Sequence, residues 1–542
     1  MLDNEHLFTN IGIDSAGFYA PKYYISLDEL AKHRNIDPNK FKKGLLSREM
    51  RLPDVNEDII SMGLKAAYNA LMKGNISPRS IDALFCGTET ITYSVKSVSN
   101  IFAELLGISP NSMTQDIYNA CAGGTLAIIN ALALIEKEVI KRALIIIADI
   151  SSYQMGTPSE PTQGSGAVAL ILSKNPRIAK FSKKFGKVSG NINDFWRPVN
   201  QVNAQVFGHY SVDSYLNFQM QAYDDLIKSI GDFHANFYVF HAPYAKLPIK
   251  IMRQIIQKRW ISHIDNLPRI KRPFFKSTIL QKLDFFLHDV TALPEYIYLK
   301  LREKDINLPR LELISHYLID TLKTKILPQL RIPSHFGNMY NASIWAQIIY
   351  ILENYGHIND TIYFGSYGSG ATCLSGLLKV CHNFRSVVNK PPKIEDFIKI
   401  KEKRSVHDYE LIKMGNFQTK IMLGKIKEHE KNKNRGFRLC LCDEGCLIPN
   451  IRGLDHCPMG HSGFHEIFFP LFAVLISDPI KMENHGDLRY LNEGLVRISG
   501  NVKKGSLLEY ELRRVDSRNN SNQSGYGLLN WSPLYVPVSK IY

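Results

Sequence analysis

The sequence has little that would place it in a membrane or an oxidising compartment. Its eight cysteines form no evenly spaced framework. Cys86, Cys121, Cys373 and Cys381 are scattered, and Cys440, Cys442, Cys446 and Cys457 gather late. In a chain of 542 residues this argues for reduced thiols rather than a disulfide scaffold. The opening Met1-Leu2-Asp3-Asn4-Glu5 lacks the basic and apolar segments of a signal peptide. The longest apolar runs, such as 126–135, are too short to cross a bilayer. A cytoplasmic protein is expected. No Gly-Lys-Ser/Thr accompanies the Gly-Ser-Gly at 164 or at 368, so close backbone packing, not phosphate binding, is expected there. Paired Cys-x-x-Cys knuckles are absent as well. The late set Cys440, Cys442, Cys446, Cys457 and His461 therefore reads as reduced cysteines in a β domain rather than as a zinc site.

Apolar residues are plentiful, at 45% against 22% charged, which suits a globular chain with large cores. The length allows roughly two to four ordinary domains, or a large two-halved one with an addition. The formal net charge is +15, and between Lys246 and Leu330 there are 16 Lys+Arg against 8 Asp+Glu. More than half of the surplus thus falls in one segment. A basic surface draws anionic partners: nucleic acid, lipid, a phosphate-bearing cofactor or an acidic carrier protein. No nucleic-acid recognition motif accompanies it. Coenzyme or carrier docking is the expectation, with neither nucleic acid nor membrane as a partner.

The stretch that organises the chain is Asn119-Ala120-Cys121-Ala122-Gly123-Gly124-Thr125, followed by an apolar run to Ile135. It reads as a nucleophile at the start of a buried helix. Glycines allow a sharp turn and close approach, and the helix dipole there favours thiolate. Taken alone, Cys121 reads equally well as a packed core cysteine.

The two halves repeat one order of elements. In the first, an amphipathic helix over 56–74 precedes the strand Ala83–Cys86, which ends in Gly87-Thr88-Glu89-Thr90. After the Cys121 helix comes the apolar strand Ala143–Ala148, ending at Asp149, and then Gly164-Ser165-Gly166-Ala167 enters the strand Val168–Leu172. In the second half a helix around 218–230 precedes the strand Phe237–Phe240, ending in His241-Ala242-Pro243-Tyr244. Gly337-Asn338-Met339-Tyr340 then leads into an apolar helix over 343–352, followed by the strand Thr361–Phe364 and Gly368-Ser369-Gly370-Ala371. Helices apolar on all sides belong in the middle of a protein. Two such helices, flanked by two sheets and by outer helices, give a five-layer αβαβα sandwich of two pseudo-repeated halves. Asn338 is expected at the position equivalent to Cys121, and Glu89, Cys121 and His241 are expected to converge.

The expected divisions are 1–175, 176–424 with a basic insertion at about 257–330, a linker at 425–435 and a β-rich domain at 436–542. Residues 25–50 read as helical.

A Cys, a Glu and a His from separate element ends suit acyl transfer with carbon–carbon bond formation. The motifs just quoted, with Asp194-Phe195, His241-Ala242-Pro243-Tyr244-Ala245-Lys246-Leu247 and Ser366-Tyr367-Gly368-Ser369-Gly370, resemble the hydroxymethylglutaryl-CoA synthase family of the thiolase-like superfamily. The resemblance covers residue 8 to about 415. It implies that Cys121 carries an acetyl group, that Glu89 is the general acid/base and that His241 engages a β-ketoacyl thioester. Asp149, Asp194, Asn338 and Ser366 would stand in or beside the substrate pocket, and Lys246 would meet the anionic arm of coenzyme A or of a phosphopantetheine on an acyl carrier protein. A homodimer without a metal cofactor is implied. The family usually has Tyr after the catalytic Cys, where this chain has Ala122. Cys-Ala-Gly is closer to the initiating ketosynthases, which use Cys, His and Asn without the Glu. A protein that binds acyl thioesters without turnover is the alternative from another class.

Overall fold

The computed structural model describes residues 4–54, 57–198, 201, 203–265 and 322–414, and beyond these only strands between Arg438 and Ile541. Residues 266–321 of the basic insertion expected at about 257–330, the linker 425–435, and Cys442, Cys446, Cys457 and His461 lie outside the described residues.

Ten strands form one mixed sheet. The first half supplies β1 (Phe8–Tyr19), β2 (Ala83–Gly87), β3 (Met113–Ile117), β4 (Arg142–Ile150) and β5 (Ser165–Lys174). The second supplies β6 (Ala179–Ser182), β7 (Gly186–Ser189), β8 (Phe237–Phe240), β9 (Thr361–Gly368) and β10 (Thr372–Val380). The order is β8-β9-β10-β6-β1-β5-β4-β2-β3, with β7 paired to β10. Either side of the β1–β6 junction the order is the same: opening strand, last strand, penultimate strand, then a strand parallel to it. The repeat expected from the sequence is therefore a repeat of topology. The expected two sheets are joined, because β1 pairs antiparallel with β6 at Ile13–Ala179 and Gly12–Lys180.

The five layers follow from the alternation of side chains along each strand. In β4, Ala143, Ile145 and Ile147 join a core with the helices α3 (Gly123–Glu136) and α6 (Asn341–Asn354), both central. The intervening Leu144, Ile146 and Ala148 join a second core with α1 (Ile59–Gly74) and α2 (Val98–Leu106). In β9, Ile362 and Phe364 face the central helices, while Tyr363 and Tyr367 pack with α4 (Gly208–Ile230) and α5 (Leu247–Asp265). The order across the molecule is thus outer helices, strands, central helix pair, strands, outer helices.

Local chemistry sets the element ends. Asp58 caps α1 by accepting from Ile60 N and Ser61 N, and Ser61 Oγ returns a bond to Asp58 N. Asn75 closes the same helix with φ 50°. Residues 25–50, expected to be helical, hold only the short helices Leu27–His33 and Asn39–Lys42, between the strands Tyr23–Ser26 and Glu49–Leu52. The buried guanidinium of Arg51 explains the difference. It donates to the carbonyls of Pro21 (2.9 Å) and Phe397 (2.7 Å), tying the extended segment to the rest of the fold.

In the late region the strands Arg438–Leu441, Leu447–Pro449, His465–Phe468, Phe472–Val474, Arg497–Ile498, Leu507–Val515 and Leu534–Ile541 form a three-stranded and a four-stranded sheet.

Candidate active site

The Cys121 turn is clasped between strand ends from the two halves. A Cβ on Gly87, at the end of β2, would stand 2.4 Å from Gly124 Cα, so strand and helix meet backbone to backbone. A Cβ on Gly368, at the end of β9, would stand 2.7 Å from Ala122 N. Ala120, just before the cysteine, has φ +41°, a left-handed geometry that side chains rarely adopt and that the surroundings must hold in place.

The same strained turn opens the central helix of the second half. Tyr340 has φ +45°. Ala122 N bonds to Asn119 O and Gly123 N to Ala120 O; 220 residues later, Ala342 N bonds to Met339 O and Ser343 N to Tyr340 O. On this landmark the counterpart of Cys121 is Asn341, not Asn338. Asn341 holds both turns together. Its Nδ2 donates to Ala120 O at 2.8 Å and to Asp149 Oδ2 at 2.9 Å, and its Oδ1 accepts from Gly124 N at 2.8 Å.

Cys121 is buried, 6% exposed, and its Sγ–H donates to Glu89 Oε2 at 3.0 Å. Burial, then the neighbouring Glu89 carboxyl, push the Cys121 thiol well above its usual range. The expected helix-dipole activation is thus outweighed. The sulfur stands two residues ahead of the first helical residue, buried beside carboxyl groups, so it needs a base. Glu89 is placed to be that base. Burial, together with repulsion from Asp149, raises its carboxyl to about 8, close to the range in which a side chain passes protons in both directions.

Asp149 is fully buried and accepts only from neighbours that build the site. Its Oδ1 takes bonds from Thr88 Oγ1 (2.8 Å), Glu89 N (2.9 Å), Thr90 N (3.1 Å) and Thr90 Oγ1 (3.0 Å), and its Oδ2 from Asn341. It fixes the Glu89 loop against the second half. Asp194, also fully buried, accepts from Tyr367 Oη at 2.6 Å and Gly370 N at 2.9 Å, which pins the loop between β9 and β10.

His241 follows β8, and its N donates to Gly365 O at 2.8 Å. Gly368, three residues past Gly365 on β9, abuts the Cys121 turn, and β8 runs parallel to β9, so His241 follows the strand beside the one that ends at that turn. Burial lowers its imidazole to about 3, so the ring is neutral near pH 7. Its Nδ1 has no hydrogen-bond partner among the described residues. A buried ring nitrogen left open in this way is available to a ligand carbonyl or hydroxyl.

Asn338 donates to Tyr153 Oη at 3.4 Å and accepts from Tyr340 N at 3.0 Å. Ser366 lies deeper and accepts from Thr125 Oγ1 at 2.9 Å, beneath the first turn of α3. Lys246 is set apart: its Nζ donates to Lys43 O at 3.2 Å at the head of α5.

Three residues that the sequence reading gave no role complete the site. Tyr153, Phe195 and Tyr340 meet edge to face, with centroids 6.0 to 6.4 Å apart, and pack with Cys121. Beside this aromatic cap a cavity of about 680 Å³ reaches Glu89 and is lined also by Arg197, Asn193, Trp196, Tyr340 and Thr372. Arg197 Nη2 donates to Glu89 O at 3.1 Å. Among the described residues no group of three or more His, Cys, Asp or Glu is arranged to hold a metal ion, and no helix is long and apolar enough to cross a membrane.

Residues 8–176 match the family model for the hydroxymethylglutaryl-coenzyme A synthase N terminal region, and residues 186–408 match that for its C terminal region. The hydroxymethylglutaryl-CoA synthase of Enterococcus faecalis is 33% identical over 244 residues, 45% of this chain and 63% of that one. The synthase of Methanocaldococcus jannaschii is 32% identical over 45% of this chain and 71% of its own length. Among solved structures, MvaS in complex with 3-hydroxy-3-methylglutaryl coenzyme A is 25% identical with a TM-score of 0.62, covering 76% of this chain and 93% of that one. The curacin biosynthetic pathway synthase in complex with holo donor-ACP shares the fold, with a TM-score of 0.61 at 20% identity over 84% of this chain and all of that one. With a Cys–Glu pair at the meeting point of two matched halves, the chain belongs to the hydroxymethylglutaryl-CoA synthase family and is an acyl-transferring, carbon–carbon bond-forming enzyme.

Proposed function

We propose that Cys121 takes an acetyl group from acetyl-CoA and that the enzyme joins it to a β-ketoacyl thioester such as acetoacetyl-CoA. The observation that carries this reading is the 3.0 Å hydrogen bond from Cys121 Sγ to Glu89 Oε2. Glu89 takes the thiol proton as sulfur attacks the thioester carbonyl, and coenzyme A leaves as the thiol with a proton returned to it. Glu89 then removes a proton from the methyl carbon of the acetyl group. That carbon attacks the ketone of the acceptor, and the resulting alkoxide gains a proton. Water cleaves the thioester to Cys121, freeing the thiol and leaving a 3-hydroxy-3-methylglutaryl-type product with a new carboxylate.

His241 offers its open ring nitrogen to a carbonyl of the acceptor. Asp149 and Asn341 position Glu89 and the Cys121 turn, and Asp194 positions the loop lining the cavity. Asn338 orients the aromatic cap, Ser366 supports the first turn of α3, and Lys246 meets the anionic arm of the carrier. Coenzyme A thioesters enter as substrates, and the acceptor rides on coenzyme A or on an acyl carrier protein. The initiating ketosynthases do without the Glu, so the Glu89–Cys121 bond weighs against that assignment.

We further propose that it works as a homodimer in the cytoplasm. The edge strand β3, with Met113 and the adjoining Tyr118 exposed, is the face offered to a second copy. Residues 1–175 and 176–424 act as the two halves of the catalytic unit, with 436–542 as a separate β-rich domain.

Intact-protein mass spectrometry after exposure to acetyl-CoA, acetoacetyl-CoA, malonyl-CoA and an acetoacetyl carrier protein tests the reaction. One acetyl group on Cys121, lost in Cys121→Ser and discharged by an acetoacetyl thioester, is the expected result. Discharge of the acetyl group only by a malonyl thioester, with release of carbon dioxide, supports the ketosynthase instead. No loading from any thioester supports a binding protein.

A further inference from the structure

The family models end at residue 408, yet the structured chain continues through the helix α7, Val406–Met414. This helix reaches the aromatic cap from outside. Lys413 Nζ donates to Ser152 Oγ at 2.6 Å and to Tyr153 O at 3.1 Å. One turn earlier on α7, the buried Tyr409 accepts from Gln163 Nε2 at 2.8 Å and donates to Glu160 Oε1 at 3.0 Å. Gln163 Oε1 in turn accepts from Tyr153 N at 3.0 Å. The amide and the carbonyl of Tyr153 are therefore both held from α7, one through Gln163 and one directly. The ring between them packs against Cys121 with Tyr340.

We infer that α7 is a clamp on the active site, in which Lys413 is a positioning residue that sets the Tyr153 ring over Cys121. The inference rests on the proposed loading of Cys121, and it ties that step to a side chain beyond the matched stretch. Lys413 is suited to the task because, among the described residues, no close ion pair commits it elsewhere. The nearby Glu160 is held by Arg34, which donates to both carboxyl oxygens at 2.9 and 2.8 Å, and by Tyr409. Arg34 also bonds Glu410, which lies beside His33. The charged and titratable groups around the clamp are thus Glu160, Arg34, Glu410, His33, Tyr409 and Tyr153.

A charged ammonium bonds a carbonyl about twice as strongly as a neutral amine does. Burial lowers Lys413 to about 8, against which Glu160 acts weakly. The clamp is therefore firm at neutral pH and slackens as pH rises through about 8.

The test is the rate of acetyl loading on Cys121 in the full-length protein, followed by rapid-quench mass spectrometry, with acetyl-CoA affinity measured separately. Lys413→Met should load about tenfold more slowly, since small displacements of a positioning contact cost that much or more. Its affinity for acetyl-CoA should stay within about twofold of wild type. Lys413→Arg should recover loading at pH 7. The ratio of its rate to the wild-type rate should then rise about threefold from pH 7 to pH 9, because a guanidinium keeps its charge. Taking the ratio cancels the ionisation of Glu89, which both proteins share. Equal loading by wild type and Lys413→Met, or a ratio flat with pH, overturns the inference. Failure of wild type itself to load overturns the proposed function instead. Should Lys413→Met not fold, the Lys413→Arg ratio decides, together with slower loading in Tyr409→Phe, which lacks only the hydroxyl that reaches Gln163.

Discussion

Asn341 donates from Nδ2 to the carbonyl oxygen of Ala120 over 2.8 Å, so a residue of the second half holds the left-handed turn that presents Cys121. Its other bonds, to Asp149 and from Gly124, are also made in the interior. Asn341→Ala leaves Gly124 N without its partner, at a cost of about 1–3 kcal/mol for a buried donor left unpaired, and takes the side-chain tie from Ala120 O and Asp149, which keep their bonds from Gly123 N and from the Glu89 loop. The turn relaxes once it is no longer held. Acetyl loading on Cys121 should fall about 10- to 100-fold, with a lower melting temperature. Unchanged loading would show that Ala120 keeps its geometry unaided.

Glu89 gives two pH dependences of opposite use. As the base for Cys121 it must be ionised, so loading should rise with pH through about 8. Stability runs the other way. Its carboxyl sits at about 8 in the folded protein against an ordinary 4.5, so the folded state binds the proton more tightly than the unfolded state does. Stability is fully present below about 4.5 and is lost as pH rises through about 8. Glu89→Gln removes the ionisation and keeps a partner for the thiol. It should abolish most loading, yet melt higher than wild type at pH 8 and close to wild type at pH 4.5. Melting curves across that range check the sign, and a gain largest at low pH would contradict the buried-carboxylate account.

The layered fold was legible because β4 is apolar on both faces and α6 on all sides, patterns that only a multilayer interior accommodates. The pairing of Cys121 with Glu89 was legible because one opens a helix and the other closes a strand in a recurring order. Asn341 was not, since the repeat was aligned on Asn338. The matching signal was the Ala that follows each residue: Cys121-Ala122 and Asn341-Ala342. Tyr153 and Phe195 carried no periodic signal. They sit in connecting segments, and only packing brings their rings over the sulfur. The thiol's acidity was misjudged for a related reason: sequence shows the helix dipole but not the burial that outweighs it.

His241 should separate the two half-reactions. Its hydrogen-bonding ties are through the backbone and its Nδ1 is open, so its part begins with the acceptor. His241→Gln should leave acetyl loading within about threefold of wild type while condensation falls by at least about 100-fold, the range expected when a polarising group is removed. The same residue carries an acid dependence. Its folded value of about 3 lies below the ordinary 6.5, so the unfolded chain takes up the proton first and stability falls as pH drops from 6.5 towards 3. The variant should lose less stability than wild type between those limits. A variant that fails to load would place His241 in the first step.

Removal of residues 425–542 tests the division between the catalytic unit and the late strands. The groups described around Cys121 lie between Gly87 and Thr372, and the last side chain holding Tyr153 is Lys413. A chain ending at 424 keeps all of α7, and with it the clamp. Domains with their own cores tolerate cuts in the segments that join them. Loading of Cys121 by acetyl-CoA should then stay within about twofold of the full-length rate. Turnover with an acetoacetyl group on a carrier protein should be measured beside turnover with the coenzyme A thioester. A loss confined to the carrier protein gives the late strands a role in docking it, because the chemistry at the sulfur is the same for both. A loss of loading itself would mean that these strands complete the catalytic unit, and the boundary at 436 would have to be abandoned.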